Sequence, residues 1–343
     1  MKLDVFGRRR HFIDHMIPIW NALEEENKGE FMVPQRLLWY ATSRGVTDAV
    51  PLKQLNSTNP LNVKPHGNNP LLISASGDLT VAWTTNRHRD FILMEHGVGL
   101  VFPGNVSYAG NRGMRARPSL TLAPNQIIFD KTRAAIPEMP QKIIGTPYLD
   151  NYAGIHRIKR EMPEKPTVCI SFHWPGFGVA PEAGNALQEF SGQLVRLREQ
   201  DNFNIIGHAH PRHWDTMQKI YEKVGITPVK YWKDVMSIAN LYVNDASSTL
   251  YEFLVTGWPV VIMNSRRFRK DVNFGIRFWD YTDIGFQVDE PQELIKVINR
   301  TIEHPNLHWE QRQRAISDLY PYLGWSAKVA ANEILEYFTL HKP

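Results

Sequence analysis

The feature that most constrains the fold of this chain is the segment Leu241–Asn264, LYVNDASSTLYEFLVTGWPVVIMN. Its apolar, β-rich ends predict a strand over Leu241–Asn244 and a second strand over Pro259–Met263. The residues between them place apolar side chains at helical spacing, and Gly257 followed by Trp-Pro predicts the end of that helix. The segment therefore predicts one β-α-β unit, which belongs to a parallel sheet.

The turn that opens the predicted helix is polar, with Asp245, Ser247 and Ser248. In a β-α-β unit the start of the helix faces the carboxyl edge of the sheet, where the helix dipole and unpaired N–H groups favour an anion. An Asp-x-Ser-Ser turn at that edge suits a phosphate group. The alternative is that the two serines act only as N-caps of the helix.

Strand and helix patterns alternate through both halves of the chain, which predicts an α/β protein of two Rossmann-like, doubly wound domains facing a central cleft. The length of 343 residues agrees, because it exceeds what one hydrophobic core usually serves. We place the N-terminal domain at 1–163, the second domain at 164–325 and a C-terminal helix at 326–343, which can pack back on the first domain. In this scheme Asn125–Asp130, NQIIFD, is a strand.

Composition narrows the cellular context. No apolar run approaches the roughly 20 residues that span a bilayer, and the charged start lacks the apolar core of a signal peptide. We therefore expect a cytoplasmic protein without integral membrane association. The single cysteine, Cys169, lies in the apolar run TVCISF. This placement predicts a buried thiol and excludes an internal disulfide.

Basic residues cluster although the net charge is only +4 and the pI is near 9.0. Such clusters suit a polyanion or a phosphate-bearing ligand, or they are solvated loops. The clusters are Arg8, Arg9 and Arg10; Arg112, Arg115 and Arg117; and Arg266, Arg267, Arg269 and Lys270.

Polar residues follow four of the predicted strands, at the positions where open α/β sheets bind ligands. Any one histidine at a strand end can simply be a hydrogen-bonded side chain, but four polar strand ends in one chain predict a site. The four are His96-Gly97, His173-Trp174, His208-Ala209-His210-Pro211, and Asp245 with Ser247 and Ser248.

The spacing of His208, His210 and His213 resembles that of binuclear zinc hydrolases, which leaves a zinc hydrolase as one alternative. Those enzymes have an aspartate directly before the third histidine, whereas this chain has Arg212, and a cation disfavours a metal there. The chain also has no Asp-x-Asp, P-loop, Gly-x-Gly-x-x-Gly or Gly-x-Ser-x-Gly motif. We therefore predict no metal site.

Taken together, these motifs resemble the two-domain GT-B glycosyltransferases, and among them the CDP-glycerol glycerophosphotransferase branch. The segment HMIPIWNAL is also similar to phage and bacterial members of that group. Two positions depart from the family pattern: Glu95 replaces a tryptophan, and Pro175 follows Trp174 where a basic residue is usual. The motifs that carry the resemblance are His96-Gly97, His210-Pro211 and Asp245-x-Ser247-Ser248-x-x-x-Glu252.

The resemblance implies a metal-independent glycosyltransferase that needs no cofactor and takes a UDP- or CDP-linked sugar donor as co-substrate. A protonated His210 and the serines would contact the phosphates, and Glu252, one turn past Ser248, would contact the ribose. In the N-terminal, acceptor-binding domain His96 would be the general base. The implied donor-binding set in the second domain is His173, His210, Asp245, Ser247, Ser248 and Glu252, and the implied acceptor or phosphate contacts are Arg112, Arg115 and Arg117.

The acceptor is predicted from the basic clusters and the aromatic residues among them. Such surfaces suit DNA phosphates and an extruded base. Our first interpretation is therefore that the acceptor is a 5-hydroxymethyl pyrimidine, such as 5-hydroxymethylcytosine, in double-stranded phage DNA. A phage enzyme of this kind would act in the host cytoplasm. The alternatives are a CDP-glycerol-type polyol-phosphate or cell-envelope glycosyltransferase, and a nucleotide- or DNA-binding protein without activity. The aromatic residues are Phe102, Tyr108, Phe268, Phe278 and Trp279.

Overall fold

A computed structural model of the chain describes residues 1–54, 62–94, 112–175, 185–245, 247–265 and 279–341. These residues divide into two compact units, each with its own sheet. Within the described residues, the first unit holds 1–54, 62–94, 112–153 and 318–341, and the second holds 154–175, 185–245, 247–265 and 279–317.

The first unit is built on a seven-stranded sheet in which every pairing is parallel, in the order β3-β2-β1-β4-β5-β6-β7. Most of its central strands are fully buried, as expected for a parallel sheet covered on both faces. The strands are Leu3–Phe6 (β1), Lys28–Pro34 (β2), Val50–Leu52 (β3), Leu71–Ile73 (β4), Phe91–Met94 (β5), Leu120–Ala123 (β6) and Gln141–Ile143 (β7).

Helices connect these strands. The predicted strand Asn125–Asp130 is wrong: the residues form the first part of a helix, and the strand is β6, just before it. The side chain of Asn125 accepts a hydrogen bond from the amide of Ile128 at 3.0 Å and caps that helix. The α-helices are Arg10–Ala22 (α1), Leu38–Ser43 (α2), Ser76–Thr85 (α3), Arg112–Arg115 (α4) and Gln126–Ala135 (α5); 3-10 helices are Glu25–Asn27, Gln35–Leu37 and Pro147–Tyr152.

The second unit has a six-stranded, wholly parallel sheet in the order β10-β9-β8-β11-β12-β13. Counted within the unit, this is the doubly wound order 3-2-1-4-5-6, and the first sheet begins in the same way. The prediction of two Rossmann-like α/β domains is therefore confirmed. The strands are Thr167–Phe172 (β8), Asn204–Ala209 (β9), Thr227–Pro228 (β10), Leu241–Asn244 (β11), Val260–Met263 (β12) and Phe286–Val288 (β13).

The β-α-β unit predicted at Leu241–Asn264 is also confirmed, because β11 and β12 are parallel neighbours. The helix between them ends at Gly257, whose φ of +80° is the left-handed conformation that favours glycine. Cys169, on β8, is buried as predicted. The α-helices are Leu187–Phe190 (α6), Gln193–Arg198 (α7), Trp214–Val224 (α8), Trp232–Ile238 (α9), Thr249–Glu252 (α10), Leu294–Glu303 (α11) and Trp309–Leu319 (α12); 3-10 helices are Ile155–Arg157, Phe253–Thr256, Trp279–Ile284 and Pro291–Glu293.

The C-terminal helix, Ser326–Leu340 (α13), belongs to the first unit. Its buried residues, among them Ile334 and Phe338, pack into the same core as α1. The carboxylate of Asp150 accepts hydrogen bonds from the amides of Ser326 and Ala327, at 3.1 and 2.8 Å, and so caps the start of this helix. None of the helices in the described parts of the chain is both long and apolar enough to span a bilayer.

Candidate functional site

The order of the second sheet determines which strand ends meet. β8 and β11 are neighbours, and the chain continues from β8 to one side of the sheet and from β11 to the other, so the topological switch point lies between them. His173 follows β8, Asp245 follows β11, and His210 follows β9 on the far side of β8. Because all these strands are parallel, the three residues lie at one edge of the sheet. The structure thus brings together three of the predicted donor-binding residues.

Three aromatic side chains contact one another at this edge. The rings of His173 and His210 have centroids 5.4 Å apart at an interplanar angle of 62°. The Trp174 ring lies 5.8 Å from that of His173 and 5.9 Å from that of His210. His173 is buried, whereas His210 and Trp174 are half-buried. We call these three residues the ring cluster.

Asp245 connects the strand ends to one another. One carboxylate oxygen accepts a hydrogen bond from the His173 amide at 2.9 Å, and the other accepts one from the Ala186 amide at 2.9 Å. Asp245 is buried, with 5% of the residue exposed. A buried carboxylate with two backbone N–H donors is well stabilised as an anion. These contacts give Asp245 a local role, positioning His173, that the sequence analysis did not predict.

The paired serines lie at the start of the helical turn α10. The Ser247 amide donates to the side-chain oxygen of Asn244 at 3.1 Å, and the Ser247 hydroxyl oxygen accepts from the Thr249 amide at 3.4 Å. Ser247 is buried and Ser248 half-buried. Ser247 therefore makes the local capping contact that the sequence analysis offered as the alternative to phosphate binding, while Ser248 is the more accessible of the two.

Glu252, the predicted ribose contact, lies one turn further along the same helical segment. Its amide donates to the Ser248 carbonyl oxygen at 3.1 Å, which confirms the one-turn spacing of the two residues. The side chain is buried, at 5% exposure. Its role toward a ribose stays a prediction.

A backbone amide contacts one nitrogen of the His210 ring. The amide of Arg212 donates a hydrogen bond to Nδ1 of His210 at 3.1 Å. A nitrogen that accepts such a bond holds a lone pair, so this contact favours the tautomer with the proton on Nε2. In this geometry Nε2 is the ring nitrogen that would donate to a ligand. The protonated ring that the resemblance implies stays a prediction.

The three histidines of the zinc alternative do not gather. The Nδ1 atom of His208 lies 2.8 Å from the Val229 carbonyl oxygen, and its ring contacts Trp232, with centroids 5.5 Å apart. Burial lowers the pKa of His208 to about 4 and also lowers the pKa of His213. Throughout the described residues, no three His, Cys, Asp or Glu side chains are grouped so that they could hold a metal ion.

Several predicted residues cannot be placed at the site. His96 lies outside the described residues, as do the basic run 266–270 and the aromatic residues of the proposed DNA surface, whereas for Trp279 only the backbone is described. Arg112 and Arg115 lie in α4, but only their backbone is described. Arg117 is exposed, with Cζ 5.4 Å from the centroid of the Trp83 ring. The acceptor contacts therefore stay predictions.

Two residues at this edge had no assigned role in the sequence analysis. Asn244 is fully buried, and its side-chain amide donates to the Ser171 carbonyl oxygen and to the Tyr242 hydroxyl, each at 3.1 Å. It joins the end of β11 to β8. Arg212 is exposed and holds its guanidinium carbon 4.9 Å from the centroid of the Trp174 ring. The only signal in the sequence was its position two residues after His210.

Comparisons with known proteins concern the fold. No protein-family model and no curated protein matches the sequence. Among solved structures, the H444N variant of the wall teichoic acid polymerase TagF, soaked with CDPG, has a TM-score of 0.65 at 12% identity, over 99% of this chain and 89% of that one. A UDP-N-acetylglucosamine 2-epimerase has a TM-score of 0.61 at 14% identity, over 100% of this chain and 98% of that one.

A further structure is that of the UDP-GlcNAc 2-epimerase of Neisseria meningitidis bound to UDP-GlcNAc. It has a TM-score of 0.59 at 13% identity, over 98% of this chain and 100% of that one. These structures share two Rossmann-like parallel sheets with the chain, at 12–14% sequence identity. Likeness at this level of identity establishes the fold and leaves the reaction open. The chain has the α/β fold of the GT-B-type proteins.

Proposed function

We propose that the chain is an enzyme that binds a nucleotide-diphosphate-linked donor at the carboxyl edge of its second sheet and transfers the linked group to an acceptor hydroxyl. The observation that carries this proposal is the meeting of His173, His210 and Asp245 on three adjacent strands at the switch point. Ligands of open α/β sheets bind at such points, and N–H donors there suit phosphate oxygens.

Different residues at this edge would bind different parts of the donor. His210 would donate a hydrogen bond through Nε2, and Ser248 is half-buried at the start of the helical turn. Both are suited to diphosphate oxygens. Glu252 follows one turn later and would accept hydrogen bonds from the ribose hydroxyls. This set needs no metal ion to orient the donor.

The proposed reaction starts with removal of a proton from the acceptor hydroxyl, for which the resemblance nominates His96. The acceptor oxygen then forms a bond to the transferred group. If that group is a sugar, the bond from its anomeric carbon to oxygen breaks and a nucleoside diphosphate leaves. If it is a polyol phosphate, the bond between the two phosphates breaks and a nucleoside monophosphate leaves. The two donor types are therefore separable by their products.

The polyol-phosphate donor is our first choice. It is supported by the fold shared with TagF, which was soaked with CDPG, together with the motifs that resemble the CDP-glycerol branch. The shared fold with epimerases supports a UDP-sugar as the second donor class. The product analysis described below also tests a DNA acceptor.

A thermal-shift panel tests the donor class, because a ligand that binds only the native state raises the melting temperature. The panel contains CDP-glycerol, UDP-GlcNAc, UDP-glucose, GDP-mannose and the matching free nucleotides. We expect a rise with CDP-glycerol and with CDP. No rise with any member would refute the proposal.

Product analysis then identifies the reaction. The enzyme is incubated with the donor that binds and with either a polyol-phosphate polymer or duplex DNA that contains 5-hydroxymethylcytosine. Release of CMP with growth of the polymer supports the first choice, and release of a nucleoside diphosphate with labelled DNA supports the DNA acceptor. Conversion of a UDP-sugar to its epimer without an acceptor would refute group transfer.

A further inference from the structure

The proposed site needs a positive charge near the diphosphate of the donor. A nucleotide diphosphate carries more than one negative charge, and the transfer step adds charge to its leaving group, so a nearby cation stabilises both states. In the observed geometry Nδ1 of His210 accepts the Arg212 amide, a contact that the protonated ring would lose, so the uncharged ring is favoured. An arginine keeps its charge throughout the physiological pH range and would supply this charge.

Arg212 is placed to supply it. Its guanidinium carbon lies 4.9 Å from the centroid of the Trp174 ring, and Trp174 in turn contacts His210. The backbone of Arg212 is bound to the His210 ring, so the two residues are fixed to each other locally. Arg212 therefore stands directly beside the ring cluster at the carboxyl edge of β8 and β9.

The guanidinium also keeps its hydrogen-bonding capacity. A tryptophan face attracts a cation but has no lone pair to accept an N–H, so the five N–H donors of the arginine are not consumed by this contact. In the described part of the chain the Arg212 side chain forms no ion pair with a carboxylate, and it is exposed. An exposed guanidinium held over a ring is suited to bidentate binding of phosphate oxygens.

We propose that Arg212, held by Trp174, binds the diphosphate of the donor and supplies the positive charge at this site. The inference rests on the proposed function and names a residue that the sequence analysis considered only as an obstacle to a metal. It also assigns two roles at the edge: His210 donates a hydrogen bond through Nε2, and Arg212 is the charge partner.

The test measures dissociation constants of nucleoside diphosphates and monophosphates by isothermal titration calorimetry. The probes are CDP, UDP, CMP and UMP, and the variants are Arg212→Ala, Arg212→Lys and Trp174→Leu. Arg196→Ala is the matched control, because Arg196 is an exposed arginine of the same unit on α7. Circular dichroism confirms that each variant is folded.

Charge-assisted hydrogen bonds are worth about 1.5–3 kcal/mol, so we expect Arg212→Ala to weaken diphosphate binding roughly 10- to 100-fold. Monophosphate binding should change less than about threefold, Arg212→Lys should restore part of the loss, and Arg196→Ala should have no effect. Trp174→Leu should weaken diphosphate binding, and adding Arg212→Ala to it should cost less than in the wild type, because the two residues act as a pair.

The test distinguishes failure of the proposed function from failure of the inference about Arg212. If the wild-type protein binds none of the four nucleotides, the proposed function fails and this inference fails with it. If the wild type binds a diphosphate and Arg212→Ala binds it equally well, or loses monophosphate and diphosphate affinity to the same degree, the inference about Arg212 fails while the proposed function stands.

Discussion

The carboxylate of Asp245 accepts a hydrogen bond from the backbone amide of His173 at 2.9 Å and so joins the ends of β11 and β8. Its second oxygen accepts from the Ala186 amide, just before α6. One buried side chain thus holds two segments that lie 72 and 59 positions earlier in the sequence. The ring of His173 contacts that of His210. Because Asp245 holds the backbone of His173, it also positions the ring cluster.

Asp245→Ala should therefore lose both stability and donor binding. Two charge-assisted hydrogen bonds are removed and two buried amides lose their acceptor, so we expect the free energy of unfolding to fall by about 2–4 kcal/mol. Affinity for CDP should fall at least about tenfold. Urea unfolding and calorimetry measure the two effects, with exposed Asp201→Ala as the control. Unchanged stability would show that Asp245 does not hold the strand ends.

Gly207 on β9 lets the ring of Tyr221 pack against the strand. A Cβ at Gly207 would lie 2.5 Å from that ring, and the Tyr221 hydroxyl donates to the His208 carbonyl oxygen at 2.8 Å. We expect Gly207→Ala to destabilise the protein by about 1–3 kcal/mol, because the ring must move. Gly192→Ala is the control, since a Cβ there meets no atom within 4 Å. Equal unfolding free energies of the two variants would contradict this account.

Local pattern was enough to predict the element that carries the site. The apolar strand at Leu241–Asn244, the helical spacing after it and Gly257 specify the β-α-β unit, and each of these signals is confined to a few residues. The same reasoning failed at Asn125–Asp130, where two adjacent isoleucines suggested a strand. Asn125 caps a helix there, and a capping contact overrides a short apolar run.

Contacts between distant residues were not predictable. Asp245 binds the amide of a residue 72 positions earlier, and no local pattern encodes that pairing. His208 and His210 are two residues apart, yet the first is buried beside Trp232 and the second joins the ring cluster, because β9 ends between them. The strand order that separates them comes from the whole sheet. The sequence therefore predicted which strand ends matter but not what each side chain contacts.

His96 is the general base that the resemblance implies, and its role is open to a direct test. We expect His96→Ala to lower the turnover number by roughly 10²- to 10⁴-fold, because proton removal from the acceptor is lost. The dissociation constant of the donor should stay within about threefold of the wild type. Steady-state kinetics and calorimetry measure the two values, with the exposed His88→Ala as the control. Loss of donor binding together with turnover would reject the role of a base.

Metal removal provides a further test. The charge of the diphosphate is proposed to be neutralised by Arg212 and bound by N–H donors, so no metal ion is required for binding. We expect the rate of group transfer and the affinity for CDP to be unchanged after dialysis against EDTA and in its presence. Elemental analysis of the dialysed protein is the control for metal removal. A loss of activity that Mg²⁺, Mn²⁺ or Zn²⁺ restores would contradict this prediction.

His208 should make the stability depend on pH. Burial lowers its pKa from 6.5 to about 4 against the opposing effect of its hydrogen bond to Val229. Between these two values the unfolded chain binds a proton that the native state does not, so the native state loses stability as the pH falls. At 1.36 kcal/mol per pH unit, the loss should reach about 3 kcal/mol near pH 4. Urea unfolding between pH 7.5 and 4.5 measures this slope. In His208→Gln the unfolding free energy should fall less steeply with pH, by the contribution of His208. The exposed His304→Gln should keep the wild-type pH dependence. A wild-type pH dependence in His208→Gln would show that another group is responsible.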